Sequence, residues 1–192
     1  SKKILILHSY HKELGWTRHI SIGIDSVLTN CGYTVDTYTE YMDTKRVFDE
    51  TYLKSIADLL TYKYQNKHFD VIISSDDHAF QFLLKTHERI FKQTPIVFCG
   101  VNYFQDAFIA KFPQITGVVE AFGLKETVSA ALTINPDLKE IYTVVDQTVT
   151  GKASLPLLDT VIPKFSDRLQ FHILTGMDMD DVLGRVRGLP DD

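Results

Sequence analysis

The sequence predicts an α/β fold: an open parallel sheet with helices on both faces. Three observations carry this. Short apolar runs such as Ile4-Leu5-Ile6-Leu7 and Val71-Ile72-Ile73 have the continuous character of strands buried on both sides. Between them lie segments with apolar residues at helical spacing. The two kinds alternate with a period of about 25 to 35 residues, which implies right-handed βαβ crossovers.

Taken in order, the first strand is Ile4 to Leu7, and it ends in polar His8-Ser9. Ile20, Ile24, Val27 and Leu28 mark the first helix, and Asn30-Cys31-Gly32 stops it with a glycine where a C-terminal cap is expected. Residues 33–41 form a β-rich second strand, and 49–64 a second helix around Tyr52, Ile56, Leu59 and Leu60. The third strand covers 69–73 and the third helix 77–90. The fourth strand covers 95–98, a helical stretch runs over 104–111, and the fifth strand covers 115–119. The pattern then restarts, with helices over 124–132, from Thr150-Gly151 onward, and over 179–189. Strands at 140–145 and 169–174 lie between them. This divides the chain into a first α/β lobe, residues 1–120, and a partial second lobe, residues 121–192. A sheet of two strands is a poor independent fold, so the second lobe reads as incomplete and the chain as truncated.

Composition narrows the function. The 192 residues are 44% hydrophobic and 23% charged, which excludes a disordered tail or a low-complexity linker. Twenty Lys and Arg against 25 Asp and Glu, a net charge of -5, leave no basic footprint for nucleic acid. No apolar stretch approaches the roughly 18 residues that a membrane span needs. Ser1-Lys2-Lys3 runs straight into a strand, unlike a signal peptide.

Polar and aromatic residues collect at the carboxyl ends of the first four strands. They are His8-Ser9-Tyr10-His11, Glu40-Tyr41-Met42-Asp43-Thr44, Ser74-Ser75-Asp76-Asp77 and Cys99-Gly100-Val101-Asn102. The opposite ends carry ordinary turn residues. In open α/β sheets the ligand crevice lies outside the carboxyl ends. The loops do not fit the common nucleotide chemistries. There is no G-x-x-x-x-G-K-[ST] to cradle phosphates and no G-x-G-x-x-G after the first strand. A phosphoacceptor receiver would need acidic residues where His8-Ser9 stand. Ser74-Ser75 lacks the glycines of a G-x-S-x-G elbow. Cys99, with His11 or His78, has the placement of a thiol nucleophile; the simpler reading is a small buried residue ending a strand. His8 and His11, or Asp76-Asp77-His78, lack convergent metal-ligand spacing, so no metal site is expected.

The acidic residues have two readings. Asp76 or Asp77 is placed to N-cap the third helix, Asp43-Thr44 to cap locally, and Asp146 or Thr148 to cap the helix near Gly151. Helix N-termini aimed into a crevice also offer free N–H donors to a small anionic or zwitterionic ligand, with Asp76 or Asp146 receiving its ammonium or hydroxyl groups. Tyr10, Trp16, Tyr41 and Tyr103 are rim aromatics that stack on a ligand or pack on a helix.

Read together, "LHSYHKELGWT" at 7–17, "EYMDTKR" at 40–46, "FDVIISSDDHAFQFL" at 69–83, "PIVFCGVN" at 95–102, "ITGVVE" at 115–120 and "VVDQTVTG" at 144–151 carry a resemblance. They resemble the extracytoplasmic sensor domains of bacterial sensor histidine kinases that are built like ABC-transporter substrate-binding proteins. Related domains precede diguanylate cyclase modules. The resemblance implies a type I periplasmic-binding-protein-like fold and a non-catalytic domain without cofactor or metal. It also implies a small solute, such as an amino acid or other polar metabolite, bound in an interlobe cleft. Lobe closure would signal to a cytoplasmic kinase or cyclase module of a membrane-anchored parent, with a homodimer as the general arrangement. The alternative is a freestanding substrate-binding protein of an ABC transporter. By position, the family's cleft residues fall on Ser9, Tyr10 and Trp16, on Asp43, on Ser75, Asp76 and Asp77, and on Asn102. Asp146, Thr148 and Thr150 come from the second lobe. The fold it implies places Cys31 and Cys99 at opposite ends of the sheet, too far apart for a disulfide.

Overall fold

The computed structural model describes residues 1–102, 104, 107, 110 and 112–189, and of residues 149, 150 and 153 only the backbone. The chain divides into two compact units, Ser1–Ala121 and Phe122–Asp192. The helix expected over 104–111 falls mostly outside the described residues, as do Tyr103 and Pro190-Asp191-Asp192.

The first unit is built on five strands: β1 (Lys2–His8), β2 (Val35–Tyr41), β3 (Val71–Ser75), β4 (Ile96–Val101) and β5 (Ile115–Val119). They form one sheet in the order β2-β1-β3-β4-β5, and every pair is parallel. The connecting helices are α1 (Gly15–Thr29), α2 (Glu50–Tyr64) and α3 (Asp76–Ile90). The connection β1-α1-β2 moves one way across the sheet, and β2-α2-β3 and β3-α3-β4 move the other way. Right-handed crossovers therefore put α1 on one face and α2 with α3 on the other.

Side chains alternate accordingly. Leu5 and Leu7, fully buried, join the main core with Ile72, Ile96, Leu60, Phe80 and Leu83. Ile4 and Ile6 point to the opposite face, as a period of two requires. The same alternation continues past the apolar run. His8 follows Ile6 toward α1, and Ser9 follows Leu7 toward α3. Two elements extend further than their apolar patterns. Ser74 and Ser75, both buried, belong to β3, and Cys99 to Val101 belong to β4, because Ser75 pairs with Cys99 and Val101 with Val119 in the ladder.

The caps differ in part from the sequence reading. Helix α2 is capped by Asp49, which accepts from the Tyr52 N–H at 2.8 Å. The cap position of α3 is Ser75, with no capping side-chain bond. Asp76 therefore does not cap; it is the first helical residue, at φ +70°. Cys31 and Cys99 are both free.

The second unit has α4 (Leu124–Ile134), β6 (Glu140–Val145), α5 (Val149–Val161), β7 (Gln170–Thr175) and α6 (Met179–Arg187). β6 and β7 pair in parallel, from Glu140 opposite Gln170 to Val145 opposite Thr175. Val128, Val161 and Leu169 form its small core. Thr148 caps α5 by accepting from the Gly151 N–H at 3.1 Å. Among the described residues, no helix is long and apolar enough to cross a membrane.

Two glycines give a direct test of the packing. A Cβ on Gly117 of β5 would lie 2.2 Å from the backbone oxygen of Phe98 on β4, whereas one on Gly23 of α1 meets nothing within 4 Å. Gly117→Ala should destabilise by about 1–3 kcal/mol, and Gly23→Ala should stabilise by about 0.5–1 kcal/mol, read from urea unfolding midpoints. Equal effects of the two would contradict the β4–β5 register.

Candidate functional site

The strand order reverses between β1 and β3, since β1 runs on to β2 on one side and β3 runs on to β4 on the other. Ligand crevices of open α/β sheets lie at such switch points, outside the carboxyl ends. The residues that leave the sheet there are Ser9 and Tyr10 after β1, and Asp76 and Asp77 after β3.

Asp76 is the centre of this edge. It is 3% exposed, and its φ of +70° is a left-handed conformation that costs a non-glycine residue of order 1 kcal/mol. Its carboxylate is held from two sides. The Trp16 indole Nε1–H donates to Oδ1 at 2.7 Å, and the Ser75 hydroxyl donates to Oδ2 at 3.2 Å. Gly100 makes the approach of β4 possible. It sits at φ +67° in the bulge where the β4–β5 register shifts, and a Cβ there would lie 3.3 Å from Asp76 Oδ1. Burial raises the Asp76 carboxyl to about 6; the bonds from Trp16 and Ser75 lower it, and Asp77 and Glu120 raise it. Trp16 itself is 44% exposed, so its ring forms part of the open rim.

Asp77 holds the end of β4. It accepts from the Asn102 backbone N–H at 3.1 Å and from Asn102 Nδ2 at 2.9 Å. Ser9 is fully buried and ties β1 to α3. Its hydroxyl donates to the Ser75 carbonyl at 2.7 Å and accepts from the Ala79 N–H at 2.8 Å. Thr44 adds a second tie, donating to the Ser9 carbonyl at 2.7 Å. Because the Thr44 proton is committed, the oxygen accepts from His78 Nδ1–H at 2.8 Å. That leaves His78, whose basicity burial lowers, with a free lone pair on Nε2. The His78 ring stacks on half-exposed Phe48 at 4.0 Å and meets Tyr10 edge-on at 6.2 Å. Burial, with Asp76, Asp77 and Glu120 nearby, raises the Tyr10 hydroxyl well above its ordinary value. Asp43, at φ +52°, pairs with His11 and Arg46 at 3.2 Å each.

On the α1 face of the same edge, His8 is fully buried and stacked on Tyr41 at 5.2 Å. Its Nδ1 lies 2.8 Å from the Ser75 hydroxyl and its Nε2 lies 3.2 Å from the Ser21 hydroxyl. Burial lowers the ring to about 4, with Asp25 acting the other way. Cys99, beside Asp76, is pushed up to about 11 by burial and by that carboxylate. A thiol so raised is protonated at neutral pH and a poor nucleophile.

In the second unit, Asp146 Oδ1 accepts from the Thr148 backbone N–H at 3.0 Å and from its hydroxyl at 2.5 Å. Gly151 permits this turn, because a Cβ there would fall 2.1 Å from Asp146 Oδ1. The side chain of Thr150 lies outside the described residues. Of the eleven expected residues, the structure gathers Trp16, Ser75 and Asp76 into one bonded group and Asp77 with Asn102 into another beside it. Ser9 lies behind Ser75 with its hydroxyl engaged on both sides. The sequence pattern assigned no binding role to His8, Thr44, Phe48 or Gly100. The glycine after Cys99 was a usable signal for close backbone approach, while Phe48 lies in a loop with no pattern.

No family model matches the chain, and no curated protein does. Solved structures do resemble it. A conserved domain protein of Vibrio cholerae matches with a TM-score of 0.64 and 20% identity, over 95% of this chain and 60% of that one. The ligand-free, open form of a substrate-binding protein with adhesive properties from Clostridium difficile matches with a TM-score of 0.66 and 18% identity, over 98% and 62%. An ABC domain from Streptococcus pneumoniae in complex with L-Trp matches with a TM-score of 0.58 and 13% identity, over 95% and 60%. At these identities the likeness shows the fold, which is type I periplasmic-binding-protein-like. The chain spans about 60% of the length of these structures.

Asp76 and His8, two of the buried titrating groups, have opposite effects on stability. Asp76, raised from 3.8 to about 6, contributes stability below its unfolded value that is lost as pH rises through about 6. His8, lowered from 6.5 to about 4, contributes stability above 6.5 that is lost as pH falls through about 4. Between these values the two slopes offset each other. Asp76→Asn leaves the His8 slope alone. Its stability should therefore rise with pH more steeply than that of the wild type across this range, by on the order of 2 kcal/mol. Urea unfolding at stepped pH measures this, and parallel curves would contradict the assignment of Asp76.

Proposed function

We propose that the chain is the extracytoplasmic ligand-sensing domain of a membrane signal-transduction protein of the histidine kinase type. It takes a small polar solute, such as an amino acid, at the carboxyl edge of its first unit. The observation that carries this reading is the Asp76 carboxyl. It is buried, in a strained backbone conformation, pinned by a half-open indole and next to a second carboxylate at the switch point of the sheet. Strain of this kind collects where structure serves binding. A carboxylate with an aromatic rim suits a solute that has an ammonium or hydroxyl group and a flat or apolar part. Trp16, Tyr10, Phe48 and His78 supply the aromatic surface.

Asp43, Ser75, Asp77 and Asn102, with Ser9 as a support, complete the proposed set in the first unit. Asp146, Thr148 and Thr150 are the proposed contribution of the second. Signalling by lobe closure is a population shift, limited by the difference in solute affinity between two states. The output is a cytoplasmic kinase or cyclase module of the same membrane-anchored parent chain, working as a homodimer. The sensor reading draws its support from the six sequence strings, and the resemblance of the fold to binding proteins agrees with solute binding. That same resemblance favours a second reading, a freestanding substrate-binding protein of an ABC transporter. The residues encoded after Asp192 separate the two. An apolar span of about 20 residues points to a receptor, and a plain stop to a carrier.

Trp16 is the single tryptophan, so its fluorescence reports on this edge alone. A panel of amino acids and small polar metabolites should contain one that changes this fluorescence and raises the melting temperature. A solute at about 100 times its Kd adds roughly 2.7 kcal/mol of stability. Asp76→Ala should lower its affinity at least about tenfold, the equivalent of one charge-assisted hydrogen bond. Absence of any fluorescence or melting response to a broad panel would overturn direct sensing.

A further inference from the structure

Behind Asp76 runs a line of hydrogen bonds that crosses from the site to helix α1. It comprises Asp76 Oδ2, Ser75 Oγ at 3.2 Å, His8 Nδ1 at a further 2.8 Å, then from His8 Nε2 to Ser21 Oγ at 3.2 Å, and the Thr17 carbonyl at a further 2.9 Å. A hydroxyl has one proton and a neutral imidazole has one N–H. Those limits allow the line two arrangements in which Ser75 and both nitrogens of His8 are paired.

With Asp76 ionised, the Ser75 proton points to Oδ2, so the Ser75 oxygen accepts from His8 Nδ1–H. His8 Nε2 then holds a lone pair, and Ser21 must turn its proton to it and leave the Thr17 carbonyl. With Asp76 protonated, every bond reverses. The carboxyl donates to Ser75, Ser75 donates to His8 Nδ1, His8 Nε2–H donates to Ser21, and Ser21 donates to Thr17. The passage between the two balances. Ser75 gives its proton to Asp76, His8 Nδ1 gives its proton to Ser75, Ser21 gives its proton to His8 Nε2, and Ser21 takes one from solvent. The net change is a single proton, held on Asp76, and the imidazole remains neutral throughout.

We propose that Ser75, His8 and Ser21 form a reversible relay in which the protonation state of Asp76 sets the tautomer of His8. On the reading proposed above, a solute cation that keeps Asp76 ionised is thereby registered at Ser21 and the Thr17 carbonyl of α1, behind the direct bond that Trp16 of the same helix makes to Asp76. The surroundings are consistent with a line that changes polarity without charging His8. Asp76 faces Trp16 of α1, Tyr10 of the loop between β1 and α1, Asp77 of α3, Cys99 of β4 and Glu120 beyond β5. His8 faces Asp25 of α1 and the ring of Tyr41 on β2. Burial favours the neutral forms of both titrating groups of the line, bringing Asp76 to about 6 and His8 to about 4.

Nitrogen-15 NMR of the His8 ring in the whole unliganded chain tests the relay without reference to any solute. Between about pH 5 and about pH 8, the proton should move from Nε2 to Nδ1, with a midpoint that follows Asp76. In Asp76→Asn, Trp16 fixes the amide oxygen on the Oδ1 side and turns the NH2 toward Ser75. Asparagine also tolerates the positive φ, so this variant keeps the backbone. His8 should stay protonated on Nε2 at every pH. In Ser75→Ala the pH dependence of the tautomer should vanish. A tautomer that is constant in the wild type, or that still switches in Ser75→Ala or Asp76→Asn, overturns the relay.

Discussion

The first unit depends on one hydrogen bond at its open edge, from the Trp16 indole to the Asp76 carboxylate at 2.7 Å. Asp76 stands where β3 becomes α3, and Trp16 stands in the first turn of α1. The bond therefore joins helices that lie on opposite faces of the sheet. It also gives a buried carboxylate a charge-assisted partner, worth about 1.5–3 kcal/mol net, where an unpaired one would be costly. Gly100 is required by the same bond, because any side chain there would crowd the Asp76 oxygen that the indole approaches.

Around this bond the polar groups are sorted by strand alternation. Toward α1 lie His8 and Ser75, joined to each other and to Ser21. Toward α3 lie Ser9 and Thr44, joined to the Ser75 carbonyl, the Ala79 N–H and His78. Satisfied networks of this kind are rigid, since each lost partner leaves a desolvated group behind. The carboxyl edge is thus a fixed platform. Its open aromatic elements are Trp16, Phe48 and the rims of Tyr10 and His78, with the exposed Lys45 ammonium 4.9 Å from the centre of the Tyr10 ring. That division suits recognition: fixed polar groups set orientation, and aromatic faces supply contact area.

Much of this was legible in the sequence. The strands 115–119 and 140–145 coincide with the observed β5 and β6, because apolar runs between turn residues allow little else. The carboxyl-edge loops were identified as the polar edge for the same reason. What composition hides is where a strand stops. Ser74, Ser75 and His8 read as loop because they are polar, yet they are fully buried ladder residues, and the side chains of Ser75 and His8 bond to each other across the sheet. Asp76 read as an ordinary N-cap, and its positive φ depends on partners 60 and 24 residues away, Trp16 and Gly100. Long-range pairing of that kind leaves no periodic trace. In the second unit, Thr148 was readable as a cap because its partner is only three residues on.

The most direct test of the account is the indole N–H signal of Trp16, a single resonance in this chain. If its hydrogen bond to a buried, titrating Asp76 anchors the site, the signal should lie well downfield of a free indole at neutral pH. It should move upfield as pH falls through about 6, when the carboxylate that accepts the bond becomes neutral. An indole signal at the free position, or one that does not move between about pH 4.5 and about pH 8, would contradict the account, because Asp76 would then be neither the partner of Trp16 nor the buried acid on which the site is built.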